Sequence, residues 1–182
     1  MSEYNCLESI NSMYVERTKD GYYDQPCCLW KESGDTPTVK NITDLGKSKR
    51  IKNIQERFKG DWQRPECEDC VLSEKGGQIS KRQYSLKRNK DKITVWDIRP
   101  ENTCNLKCVM CNPRNSSKWA EDIDLFLKYA DKENNPEKLA RLKKEFSIRK
   151  TLDWDWILER CINTAEKIYI AGGEPFYMKS VH

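Results

Sequence analysis

The sequence predicts an α/β protein, and three observations carry that expectation. Residues 93–98 (ITVWDI) alternate and are rich in β-branched side chains, the pattern of a strand. Residues 168–171 form a second apolar, β-favouring run, closed by Gly172, Gly173 and Pro175. Between the two runs, apolar residues recur at helical intervals in three successive stretches. Two strands joined through helices make a parallel strand–helix–strand unit, because a parallel pair needs a long crossover. Ahead of it, residues 1–90 are turn-rich and cysteine-bearing. The expected division is a small N-terminal domain over 1–90 and an α/β domain over 91–182.

Composition sets the bounds. A chain of 182 residues, 37% hydrophobic and 34% charged, supports one or two compact domains with a modest core. No stretch approaches the roughly 18–20 apolar residues of a membrane helix. Met1 to Asn11 lacks a basic start and an apolar core, so no secretory leader is expected and the cytoplasm is the expected compartment. Without a leader, nine cysteines point to metal binding rather than to a disulfide scaffold. The net charge of +4 comes from mixed signs. The basic stretch Lys81 to Lys92, with Arg82, Lys87, Arg88 and Lys90, reads as a solvated helix face in preference to a nucleic-acid contact.

In the first half, Gly21, Pro26, Gly34, Pro37 and Gly46 break up any long element, leaving short strands. Ile51, Ile54 and Phe58 fall at helical spacing, with Gly60 as the stop. A CxxC at Cys67 and Cys70 opens a charged helical stretch that runs to Asn89, interrupted at Gly76 and Gly77. Such a pair is a metal clip or a dithiol redox couple. Cys27, Cys28, Cys67 and Cys70 suffice for one closed centre, with an iron–sulfur cluster ranked first, structural zinc second and no metal third. Cys6 and Cys161 read as bystanders, the latter at helical spacing from Ile157.

The most informative stretch is Thr103 to Asn112, TCNLKCVMCN, where Cys104, Cys108 and Cys111 form CxxxCxxC. Thiolates this close can share one soft-metal centre. A cubane cluster has four iron corners, so three cysteines leave one iron free to bind a reactant. Closed zinc sites want a fourth ligand, and the single histidine, His182, is too remote in sequence to complete a common Cys/His pattern. After the loop, Asn115, Ser116 and Ser117 offer caps for a helix with Trp119, Ile123, Phe126, Leu127 and Ala130 on its apolar face. A second helix is expected from Pro136, capped by Asn134 or Asn135, with Leu139, Leu142 and Phe146 inward. A third, Asp153 to Thr164, uses Trp156, Ile157 and Cys161, and Trp154 and Trp156 read as core or rim aromatics. In the closing IYIAGGEP run, Gly172 and Gly173 let backbone approach a ligand, Glu174 offers a carboxylate to an ammonium and Pro175 stops the strand.

CxxxCxxC after a short strand, then CNPRNSSKWAED, then GGEP, in that order, resemble the radical S-adenosylmethionine (radical SAM) superfamily and its twitch/SPASM-type members. The resemblance implies a twitch-like auxiliary-cluster domain followed by the first βαβ portion of a partial (β/α) barrel, with the site at the C-terminal ends of the strands. It implies that Cys104, Cys108 and Cys111 hold a 4Fe-4S cluster whose fourth iron chelates S-adenosylmethionine. Gly172, Gly173, Glu174 and Pro175 would then grip the methionyl end, and Met110 would stand where the family often places an aromatic beside the adenine. An electron donor such as flavodoxin or ferredoxin would start reductive cleavage to a 5′-deoxyadenosyl radical, and a peptide or protein is the first substrate class to consider. Residues 93–182 are too few for the roughly 190 residues that six barrel units would take. The expectation is therefore an N-terminal portion or split product, whose open two-strand sheet a partner chain would complete. A non-catalytic iron–sulfur or zinc module and a Cys67/Cys70 dithiol redox protein are the competing classes.

Overall fold

A computed structural model describes residues 4–31, 38–88, 92–132, 135–137, 140 and 152–181. The expected inner face Leu139, Leu142 and Phe146 lies outside the described residues.

The fold is mixed α/β, built on one five-stranded mixed sheet. Its strands are β1 (Ser12–Thr18), β2 (Gly21–Tyr23), β3 (Thr38–Val39), β4 (Val95–Arg99) and β5 (Lys167–Ile170), in the order β3-β2-β1-β4-β5. The helices are α1 (Glu8–Asn11), α2 (Lys49–Arg57), α3 (Glu68–Lys75), α4 (Lys81–Ser85), α5 (Ile123–Lys132) and α6 (Trp154–Cys161). Packing divides the chain into two units that are each discontinuous in sequence and do not follow a break at residue 90. One contains residues 1–16, 20–98 and 153–169, the other 17–19, 99–152 and 170–182.

The first unit carries the sheet apart from a few strand-end residues. At the turn between β1 and β2, Gly21 has φ 140°, and a Cβ there would stand 2.3 Å from the Val39 carbonyl oxygen, so only glycine lets β3 close on β2. β2 and β3 are antiparallel, Tyr22 facing Val39 and Tyr23 facing Thr38. The open two-strand sheet expected from the sequence is corrected here. Three N-terminal strands continue the sheet, and β4 lies between β1 and β5. That position explains why β4 is buried on both faces, Asp97 included, despite its alternating sequence. β5, on the edge, stays largely exposed.

The helices of this unit have local causes. Ser48 caps α2 by accepting from the Ile51 N–H, and Ile51, Ile54 and Phe58 bury its inner face. Trp30 meets Phe58 edge-on at 6.2 Å, and Cys6 joins this core. Ser80 and Gln83 form a capping box that starts α4. Asp153 caps α6, which buries Ile157 and Cys161 and sets Trp156 against Trp96 at 6.2 Å. Cys161 is thus the core cysteine its spacing suggested.

In the second unit, the first turns of the expected post-loop helix are a 3-10 segment, Ser117–Asp122, continuing into α5. Trp119 packs on Phe126 at 5.7 Å and Ala130 is buried. Met178 is fully buried and anchors the segment that follows the GGEP run.

Candidate functional site

The cysteine loop is shaped by polar contacts at its ends. The Cys104 N–H donates to Ser117 Oγ at 3.1 Å, and Ser116 Oγ donates to the Leu106 carbonyl at 2.7 Å. Within the loop, the Cys111 N–H donates to the Cys108 carbonyl at 2.9 Å. Lys107 Nζ reaches Asp122 at 2.8 Å and Glu121 at 3.1 Å, tying the loop to the 3-10 segment that follows it. Cys104 and Cys111 are half-buried and Cys108 is exposed, as are Val109 (98%) and Met110 (91%). The Cys104 thiol accepts from the Leu106 N–H at 3.4 Å.

Residues 172–175 close onto the same place. The Gly173 N–H donates to the Glu101 carbonyl at 3.1 Å, and the Glu174 N–H to the Thr103 carbonyl at 3.0 Å. A Cβ on Gly173 would fall 2.0 Å from the Thr103 oxygen and 2.8 Å from the Asn102 carbonyl carbon. Gly173 is therefore a close-approach glycine, and what it approaches is the backbone leading into Cys104. Gly172 has φ 124°, a conformation for glycine alone. Glu174 accepts from the Phe176 N–H at 3.2 Å and caps the 3-10 turn Pro175–Tyr177, a local role beside the expected one toward a ligand. Glu101 accepts from the Thr103 and Ser180 hydroxyls. Burial acts to raise its pKa, but these hydrogen bonds outweigh it and hold the carboxyl below its usual range.

A second gathering of thiols lies in the first unit, where Cys6, Cys27, Cys67 and Cys70 line one cavity. Three long-range ties bring them together. The Asn5 N–H donates to the Phe58 carbonyl at 2.7 Å, the Lys31 N–H to the Glu66 carbonyl at 3.0 Å, and Arg82 to the Asn5 carbonyl at 2.8 Å. Lys31 also pairs with Asp69 at 2.7 Å. Cys28 does not line this cavity. Its thiol accepts from Lys81 Nζ at 3.0 Å, in the turn that Cys27 and Cys28 share and that the Trp30 N–H closes on the Cys27 carbonyl at 3.3 Å. Of the set Cys27, Cys28, Cys67 and Cys70 expected from the sequence, Cys27, Cys67 and Cys70 line this cavity, together with Cys6, which the sequence marked as a bystander. No spacing signal marks Cys6, which is brought in by the ties of Asn5 to Phe58 and Arg82.

Burial pushes the Cys6 thiol up to about 12, with the Glu8 carboxylate and the neighbouring thiols adding to it against a backbone hydrogen bond. Burial raises Cys27 well above the usual thiol range and Cys67 to about 11. In the metal-free chain these are thiols, not thiolates, at neutral pH. Burial acts to lower the Lys81 pKa, but Glu8 and the Cys28 thiol outweigh it, so Lys81 stays charged.

Among the described residues, no group of three or more histidine, cysteine, aspartate or glutamate side chains forms a ready-made metal site. Both gatherings still have the chemistry of sulfur-ligated centres. The loop offers three thiols and an open side, and the cavity offers four thiols and no histidine. Ser9 also lines the cavity, and its buried Oγ has no hydrogen-bond partner among the described residues. No helix among the described residues is long and apolar enough to cross a membrane. No family model, curated protein or solved structure matches this chain.

Proposed function

We propose that this chain is a radical SAM enzyme, or the N-terminal portion of one, with Cys104, Cys108 and Cys111 holding a 4Fe-4S cluster and Gly172 to Pro175 holding S-adenosylmethionine. The observation that carries this reading is the pairing of the two motifs. Gly173 and Glu174 hydrogen-bond the backbone of Glu101 and Thr103, residues some seventy positions earlier, immediately before Cys104.

When bound, the cluster supplies the electron that splits the sulfonium of S-adenosylmethionine. The chain's own part is binding and orientation. Three thiols without a fourth ligand leave one corner open for the amino and carboxylate groups. The bare backbone at Gly173 lets the motif close on the residues leading into the loop, and the Glu174 carboxylate, with lone pairs beyond the one that caps Phe176, can accept from an ammonium. Ser117 and Lys107 tie the loop to the segment that follows it. The cavity thiols Cys6, Cys27, Cys67 and Cys70 would hold an auxiliary iron–sulfur cluster. A peptide or protein is the first substrate class to test, and flavodoxin or ferredoxin the first electron donor.

The competing reading is a non-catalytic metal-binding module, favoured by a four-thiol cavity that needs no open coordination site. Anaerobic reconstitution with iron and sulfide, followed by S-adenosylmethionine and reductant, separates the two. About eight irons per chain, falling to about four in a Cys104→Ala, Cys108→Ala, Cys111→Ala variant, with 5′-deoxyadenosine from wild type alone, supports the enzyme. Two clusters without 5′-deoxyadenosine supports the module, and zinc in place of iron overturns the radical reading.

A further inference from the structure

We propose that Asn102 is a positioning residue for the cysteine loop: its buried carboxamide clasps the two ends of the loop together and so governs how firmly Cys104, Cys108 and Cys111 hold their ligand. The inference rests on the reading of that loop as the holder of a 4Fe-4S cluster.

Asn102 is 1% exposed, and its partners lie on the far side of the loop. Its Nδ2 donates to the Pro113 carbonyl at 3.2 Å, eleven positions along the chain. Its own carbonyl accepts from the Ser117 N–H at 2.7 Å. All three cysteines of the motif fall between Asn102 and Pro113. Pro113 and Ser116 are buried as well, so the base of the loop is closed while Cys108, Val109 and Met110 are exposed. The same residue meets the second motif, since a Cβ on Gly173 would stand 2.8 Å from the Asn102 carbonyl carbon.

The hydrogen bonding shows what the side chain is kept for. The Pro113 oxygen can only accept, which fixes the amide nitrogen toward it. At the other corner of the carboxamide, Oδ1 has no hydrogen-bond partner among the described residues. A buried acceptor left unpaired carries a desolvation cost, so an apolar side chain of the same shape would fill the space more cheaply. The donor therefore accounts for the asparagine. By closing the base, it removes part of the freedom that residues 103–112 would otherwise lose when three thiols converge on one centre. The Cys104 N–H, bonded to Ser117 Oγ at 3.1 Å, adds a second tie across the same base.

The test compares the full wild-type chain with Asn102→Leu, which keeps a branched side chain and removes the donor, and with Asn102→Asp, which keeps the planar shape and sets an acceptor against the Pro113 carbonyl. In the metal-free chain, hydrogen exchange at the Cys104, Cys111 and Ser117 amides should speed up about tenfold in both variants, while the amides of α2 keep their protection. After anaerobic reconstitution with iron and sulfide, iron is withdrawn by a chelator. The phase missing from a Cys104→Ala, Cys108→Ala, Cys111→Ala variant belongs to the loop. That phase should run about tenfold faster in both Asn102 variants, the worth of one buried hydrogen bond lost with its acceptor stranded. Unchanged exchange or unchanged release overturns the proposal and leaves the cluster reading intact. Faster release with an equal loss of protection in α2 also overturns it, because Asn102 would then support the fold as a whole. A wild-type chain with no loop phase overturns both.

Discussion

Replacing Gly173 by alanine tests the pairing of the two motifs directly. The added methyl would meet three backbone atoms, the Thr103 oxygen at 2.0 Å, the Thr103 carbonyl carbon at 2.7 Å and the Asn102 carbonyl carbon at 2.8 Å. None of these can rotate away, so one backbone must retreat by over an ångström to reach ordinary contact. That retreat breaks the Gly173 and Glu174 N–H bonds to Glu101 and Thr103. Two backbone hydrogen bonds at about 1 kcal/mol each, with overpacking of about 1–3 kcal/mol, give a loss of about 3–5 kcal/mol. Gly77→Ala is the control, because its φ is also positive but nothing lies within 4 Å of a Cβ there, so it should cost only about 1–2 kcal/mol. The assay is thermal unfolding together with hydrogen exchange at the amides of residues 173 and 174. Gly173→Ala should melt several degrees below Gly77→Ala and lose protection at both amides. Wild-type stability with intact protection would refute the close approach.

Three further predictions follow from the cysteines and their neighbours. Cys6→Ser should abolish metal uptake by the cavity while Cys28→Ser leaves it intact, read as metal per chain. The metal-free chain should lose stability as pH rises from about 9 towards 12. The unfolded chain gives up its thiol protons first, whereas the folded chain keeps those of Cys6 and Cys67 until about 12 and 11; the fall should be smaller in Cys6→Ala, measured by urea midpoints. Arg82→Ala should destabilise by about 2–4 kcal/mol, because it strands Glu74 half of a paired, mostly buried ion pair and bares Trp62; denaturant unfolding checks it.

The helices around α2, α4 and α6 were legible because their causes are local: Ser48, Ser80 and Asp153 cap them, and the inward residues repeat every three or four positions. The loop at Cys104, Cys108 and Cys111 was legible for the same reason, since its three thiols lie within eight residues. The sheet was only half visible. Strands as short as β2 and β3 carry little periodicity, and nothing in their sequences says that β1 will pair with β4. The cavity lining was not legible for a related reason: Cys27 and Cys28 are chemically identical, and which of them lines the cavity depends on the path of the backbone.

By itself, the sequence determined the α/β class, the capped helices, the strand that leads into the cysteine loop and the order of the CxxxCxxC and GGEP motifs. The helices, the strand and each motif depend on residues within a turn or two of one another, and the motifs' order is read directly along the chain. Tertiary structure alone decided that Gly173 would lie against Thr103 and that Cys6 rather than Cys28 would line the cavity. Those are contacts between segments tens of residues apart, fixed by the packing of the whole chain rather than by any local pattern.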